Sequence, residues 1–463
     1  MNEGILSEDP AQSKSSFISS VATVLGGQAA CAALALITEV CYARLLGPQG
    51  RGQISLCMML IAFGVLVGGL GCDSPIVVWT ADSRKKISGW LPIVLLLGLA
   101  GSAFACGLLA IVFWHWHLTA LQTITTPLVI LILATIPVAI FSGYLMAILL
   151  GSERFRLRAV VTLADQFAGL AGFVLLLFVL GPKVETAVLG NLVGLVVGAG
   201  IIFIAFRDSF LSLRKVPRID AGIAAGLRMG LRGQASILAT TLYYRFDVFL
   251  VSFFLGPTQV GLYALGVVVS EALWQIPSAV ASALFPRTVR TVDNGASDFT
   301  CLIMRQVSVI SVVLGVLLVV VCPIAIPLVF GQSFFPSVAV VWWLMPGTVA
   351  LSMAKVACAD LTARYKTGYS TVFAFVALGV SVPLDLVLIP RMGIQGAALT
   401  SSVAYIVDAG LLLAALKYEL KVRWKSLLVP SMADFEFYRL AWLRYRSWLR
   451  SALPPAAGAG EPS

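Results

Sequence analysis

The chain has 463 residues, of which 59% are hydrophobic and only 12% charged, with a net charge of +10 and a mean hydropathy of +0.96. Soluble domains carry roughly 25% charged residues, so this composition excludes a soluble globular protein. With no RNA or DNA motif beside it, the positive charge points to anionic lipid head groups rather than to nucleic acid. A bilayer core about 30 Å thick needs on the order of 20 apolar residues per helix. Twelve stretches meet that need, at 18–43, 54–79, 89–114, 126–150, 159–180, 186–206, 233–255, 260–284, 304–329, 336–363, 368–389 and 394–416. They read as helices rather than barrel strands, because their apolar runs are continuous and lack a two-residue alternation. The predicted fold class is an all-α integral membrane protein of about twelve transmembrane helices.

Those helices fall into two blocks of six. Leu46-Gly47-Pro48-Gln49-Gly50-Arg51-Gly52 closes the first stretch and Leu255-Gly256-Pro257-Thr258-Gln259-Val260-Gly261 the seventh, 209 residues apart. The fifth and eleventh stretches end at Gly181-Pro182 and Ile389-Pro390, and the next helices open with Ala187-Val188-Leu189 and Ala397-Ala398-Leu399, 210 apart. One offset held across different helices is the signature of internal duplication. The predicted organisation is an amino-terminal segment over 1–16, a six-helix lobe over 17–206, a basic linker over 207–232, a second six-helix lobe over 233–417 and a basic tail over 418–463. The linker is expected to hold a short surface helix around 221–231. In the tail, Tyr438, Trp442, Tyr445 and Leu449 share one helical face bordered by Arg439, Arg446 and Arg450, as in a helix lying in the head-group layer.

Cytoplasmic loops retain Lys and Arg. With the amino terminus inside, 26 of the 32 fall on the inner side, 4 on the outer side and 2, Arg245 and Lys355, within spans. Both termini are therefore expected to be cytoplasmic, with the first helix kept as an anchor rather than cleaved. The eight cysteines lie in or beside apolar spans without a C-x-x-C pair and read as small apolar fillers. His115 and His117 alternate with Trp114 and Trp116 at a span end, which is interface chemistry, so no metal site and no cofactor are expected.

An ionisable side chain at bilayer depth costs about 2.5–3.5 kcal/mol on insertion scales and must face water or a partner. Arg245 and Asp247 are the deepest, near the middle of the seventh stretch, and stand two residues apart on different faces. Lys355 lies in the inner half of the tenth. A cation in a low-dielectric cavity suits a phosphate, which makes Arg245 and Lys355 candidate substrate-binding residues. Asp247, Glu271, Glu39 and Asp385 are candidates for a coupling proton or sodium ion, or balance the cations. Asp360 and Arg364, four apart on one helix, read as a structural pair, and Arg44 and Arg51 as anchor and turn residues.

The stretch Ala43-Arg44-Leu45-Leu46-Gly47-Pro48, the segment Val260-Gly261-Leu262-Tyr263-Ala264-Leu265 with Ile276-Pro277 and Leu284-Phe285-Pro286-Arg287, and Leu388-Ile389-Pro390-Arg391-Met392-Gly393-Ile394-Gln395-Gly396 resemble one family. They look like polysaccharide-repeat-unit flippases (O-antigen and exopolysaccharide, Wzx-type) of the multidrug/oligosaccharidyl-lipid/polysaccharide exporter superfamily. The resemblance implies two six-helix lobes around a central cavity that opens alternately to either side of the bacterial cytoplasmic membrane. The implied cargo is an undecaprenyl-diphosphate-linked oligosaccharide, turned to the outer leaflet before a polysaccharide polymerase uses it. One departure is Asp385, where relatives often carry Asn. Twelve spans, against the fourteen usual in lipid II flippases, weigh against that neighbouring reading.

Two rivals stand beside the flippase. A cation-coupled multidrug or metabolite exporter of the same superfamily would favour acidic and aromatic cavity residues, whereas Arg245 and Lys355 favour an anionic cargo. An integral-membrane glycan polymerase or ligase needs a sizeable outward loop bearing catalytic Arg and His. The outward loops here are short, so the chain is not expected to be an enzyme.

Overall fold

The computed structural model describes residues 10–82, 87–115, 124–207, 221–275, 277–281, 296–364, 366 and 368–429. The long elements are α1 (Pro10–Gly68), α2 (Asp73–Ala81), α3 (Ile87–His115), α4 (Thr126–Gly151), α5 (Phe155–Leu180) and α6 (Val184–Ala205), then α7 (Ala221–Leu255), α8 (Pro257–Glu271), α9 (Ala296–Phe330), α10 (Ser337–Ala363), α11 (Gly368–Met392) and α12 (Ile394–Leu420). A short α13 (Trp424–Leu428) follows. No strand occurs among the described residues, as bilayer solvation demands of a chain that must satisfy its backbone within each segment.

Among the described residues, ten helical segments are long and apolar enough to cross a membrane. One of them, Ala30–Gly68, holds two crossings, because Gly47 at φ 65° and Pro48 break α1 into two helices. Only glycine adopts that left-handed backbone without a Cβ penalty. α8 is followed by a 3-10 turn at Ala272–Trp274 and a helical stretch over 277–281. The protein is thus a multi-pass membrane protein.

Two boundaries differ from the sequence reading. The surface helix expected around 221–231 is instead the first part of α7, which runs unbroken to Leu255. It stays helical because no proline interrupts it and because its glycines face a neighbour. A Cβ on Gly230 would lie 2.5 Å from the Gly71 carbonyl oxygen, and Gln234 donates its side-chain amide to the Leu66 carbonyl. The eleventh span also runs through Pro390 to Met392 and is turned by Gly393, at φ 64°. Proline removes only one donor, whereas the left-handed backbone at Gly393 ends the helix. The aromatic–basic helix expected in the tail lies outside the described residues.

The chain divides into two compact units. The first comprises Met1–Ser270, Val319–Leu344 and Ala374–Ala404, and the second Glu271–Leu318, Met345–Phe373 and Tyr405–Ser463. The first unit buries a core built on α1–α6, with Ile54, Ile76, Leu91, Ile132, Ile136 and Phe173 among its fully covered side chains. The second unit is anchored by a buried Asp360, which accepts the Thr300 hydroxyl at 2.8 Å and Arg364 Nε at 2.7 Å. The four-residue spacing of Asp360 and Arg364 predicted that pair.

Within the first unit the two copies of the repeated turn meet each other. A Cβ placed on Gly52 would overlap the carbonyl oxygen of Pro257, and one on Gly261 would overlap that of Pro48. Gly52 and Gly261, like Pro48 and Pro257, are 209 residues apart, so the contact is reciprocal. Beside it, Arg44 on α1 donates Nε to the Val329 carbonyl at 2.9 Å and Nη2 to the Leu328 carbonyl. These belong to the last turn of α9, whose final carbonyls have no partner within the helix, and a cation there also meets the negative end of the helix dipole. Gly52→Ala and Gly261→Ala should each lower stability by about 1–3 kcal/mol through overpacking, read as a fall in the thermal-unfolding midpoint. Gly107→Ala, whose methyl would meet nothing within 4 Å, should leave the midpoint unchanged or raise it.

Candidate functional site

The charged residues singled out in the spans gather at three places. In the first unit, Asp247 on α7 is buried and fully engaged. Its carboxylate accepts the Tyr263 hydroxyl from α8, the Ser401 hydroxyl from α12 at 2.9 Å and the Val248 backbone N–H at 2.7 Å. Tyr263 and Ser401 lie 3.1 Å apart. Helical spacing alone would separate these residues, but α7, α8 and α12 each present one polar group to the same point.

Asp385 on α11 belongs to this group, since the Asp247 charge and the Thr400 side chain both act on it. It is 1% exposed, and its Oδ1 accepts no hydrogen bond. An unpartnered carboxylate oxygen in the interior costs about 1–3 kcal/mol or more. Two acids so placed repel one another unless a proton or a cation stands between them. Arg245 is half-buried on the same helix as Asp247, with its charge acting on that carboxylate. It sits in an aromatic run in which the Tyr243 and Tyr244 rings are 4.8 Å apart and the Phe246 and Phe249 rings 6.0 Å apart.

In the second unit, Lys355 on α10 is half-buried, with its ammonium 4.5 Å from the centre of the Trp274 ring. Trp274 in turn leans on Tyr405, with ring centres 5.9 Å apart. Glu271 and Asp408 are the acids whose charge acts on Lys355. A cation over an indole face is attracted by the ring's negative face, and a compact ammonium of this kind is chemically able to meet an anion.

Glu39 stands elsewhere, in an ion pair of 2.7 Å with the buried Arg51. Sequence reasoning therefore named Asp247, Asp385, Arg245 and Lys355 but missed Tyr263, Ser401, Thr400 and Trp274. A signal for Tyr263 exists in the duplication. Counting back by 209, Asp247 aligns with Thr38, Tyr263 with Ile54 and Asp385 with Leu176, whereas Ser401, by the 210 that holds in the last helix, aligns with Asn191. The acids and the tyrosine depart from the repeat together, as residues sharing one task would. The described residues contain no group of three or more His, Cys, Asp or Glu able to hold a metal ion.

Tyr263→Phe should cost about 1–3 kcal/mol by leaving Asp247 short of a donor. Because Tyr263 and Ser401 donate to the same Oδ2, a double-mutant cycle with Ser401→Ala should show a coupling of about 0.5–3 kcal/mol. Denaturation of the purified protein measures both.

A family profile described as a polysaccharide biosynthesis protein matches residues 17–292. Comparison with curated proteins returns no match. Among solved structures, the chain is similar to the lipid II flippase MurJ in an inward closed conformation, with a TM-score of 0.66 and 14% identity over 92% of this chain and 98% of that one. It is likewise similar to an inward-facing multidrug resistance MATE family transporter of the MOP superfamily, with a TM-score of 0.65 and 14% identity over 84% of this chain and 94% of that one. A mutant of the Vibrio cholerae MATE transporter VcmN aligns with a TM-score of 0.58 and 15% identity over 87% of this chain and 96% of that one. The chain has the fold of these two-lobe membrane transporters.

Proposed function

The chain belongs to the polysaccharide biosynthesis protein family, and from that premise we propose that it is a flippase for lipid-linked oligosaccharide. It moves undecaprenyl-diphosphate-linked repeat units from the inner to the outer leaflet of the bacterial cytoplasmic membrane, by alternating access between two six-helix lobes over 17–206 and 233–417. Both termini are cytoplasmic, and a polysaccharide polymerase uses the delivered units. The observation that carries this reading is the presence of two half-buried cations, Arg245 and Lys355, in spans of a chain from this family. Arg245 offers planar, bidentate donors to a phosphate, and Lys355 a compact point charge. The sugars follow the diphosphate, while the polyprenyl tail stays in lipid.

Asp247 and Asp385 take the coupling proton or sodium ion. Binding there relieves the repulsion between two buried acids, and a bound cation changes the balance of charge that Arg245 experiences. Cation occupancy and cargo anion occupancy are thereby coupled through one helix, α7. A cation-coupled exporter of small amphiphiles is the second reading, favoured by the likeness in fold to multidrug transporters. The half-buried cations argue against cationic drugs as its cargo.

In cells, Arg245→Ala should lower surface polysaccharide by at least roughly thirtyfold, the cost of removing a buried charged contact. The variant should remain in the membrane, with undecaprenyl-linked units trapped in the inner leaflet. Normal glycan with altered drug sensitivity would instead favour the exporter. In proteoliposomes, Asp247→Asn and Asp385→Asn should abolish the dependence of translocation on a proton or sodium gradient. Glu39→Gln should retain it, since Glu39 is engaged with Arg51.

A further inference from the structure

Beyond α12 the chain does not simply leave the membrane. Lys421, at φ 54°, turns the backbone out of α12, and α13 then packs against the start of α9. Arg305 donates Nη1 to the Ser426 carbonyl at 2.6 Å, and Leu427 is 0% exposed. Residues 417–429 are therefore seated on the protein at the end of the bundle.

The outward surface of that seat has a particular chemistry. Lys417 holds its ammonium 5.0 Å from the centre of the Trp424 ring. Lys421, Arg423 and Lys425 are exposed. Tyr418 is 77% and Trp424 41% exposed. The only acid in the segment, Glu419, is taken by Lys366 at 3.3 Å and by the Tyr369 hydroxyl at 3.3 Å. Four cations thus fall within nine residues, and no ion pair to an acid is seen for them among the described residues.

Depth fixes what such a surface can meet. The 27 residues of α12 span roughly 40 Å at 1.5 Å per residue, longer than the hydrocarbon core of about 30 Å. A helix of that length centred in the bilayer carries its last turn, and α13 beyond it, past the hydrocarbon core. Exposed Trp and Tyr settle there because one end of each ring system is apolar and the other polar. Lys and Arg at the same level attract phosphate of anionic lipid. We infer that residues 417–429 form a docking site for an anionic phospholipid head group. Lys421, Arg423 and Lys425 ring the phosphodiester, the Trp424 and Tyr418 rings sit beside the glycerol, and Arg305 holds the platform through Ser426.

The test uses the full chain reconstituted in vesicles of phosphatidylcholine with phosphatidylglycerol, and reads the relative association of spin-labelled forms of the two lipids. The wild type should prefer phosphatidylglycerol, and added salt should weaken the preference by screening. In the triple variant Lys421→Gln/Arg423→Gln/Lys425→Gln the preference should fall by roughly fivefold or more, the effect of about one interfacial basic residue. Arg156→Gln/Arg158→Gln, which removes exposed cations from α5, should keep it. Lys421→Arg/Lys425→Arg should also keep it, which separates loss of charge from loss of fold. A wild type without head-group preference, or a triple variant that keeps it, overturns the proposal. So does an equal loss in the α5 variant, or release of a bound protein rather than of lipid by the triple variant.

Discussion

The approach of two backbones at Gly52 and Gly261 is the constraint on which the arrangement of the first unit depends. Each glycine faces the carbonyl of the proline that opens the other copy of the same turn. Side chains of any size would hold the helices apart there. With the backbones that close, Arg44 reaches the final carbonyls of α9, and α8 carries Tyr263 to Asp247. Packing of small residues is how helices associate in lipid, where apolar side chains gain little by leaving one hydrocarbon for another.

On that frame the two halves have diverged in charge. Arg44, Arg51 and Glu39 occur in the first half, where the repeat offset gives Phe253, Val260 and Val248 in the second. Asp247, Tyr263 and Asp385 occur only in the second half. The first half spends its polar groups on holding helices together, through the Arg51–Glu39 pair and the Arg44 contacts to α9. The second half keeps an acid pair with an unpartnered oxygen, an arrangement that packing alone would eliminate. The proposed chemistry therefore sits where the duplication has been broken.

Much of the fold was legible in the sequence because its causes are local. Bilayer thickness sets the length of an apolar run, glycine-proline pairs set the turns, and one offset ties the halves together. The Asp360–Arg364 pair was legible for the same reason, being one helical turn apart. The meeting of Asp247 with Ser401 was not, since 154 residues separate them and no local pattern reports which faces of α7 and α12 converge. The continuity of α7 was not legible either, because basic residues at its start suggest a surface helix. The deciding contacts, Gly230 against Gly71 and Gln234 against Leu66, are tertiary.

The reciprocity of the glycine seam has a further consequence. Because Gly52 meets Pro257 and Gly261 meets Pro48, the seam has the form of a two-fold interface, the kind that two identical six-helix chains would make with each other. Joined in one polypeptide, the two copies keep that mutual dependence. Each turn is both the surface and the mould of the other, so neither can drift alone. The halves were free to diverge at Asp247 and Asp385, while the seven-residue turn had to be inherited twice.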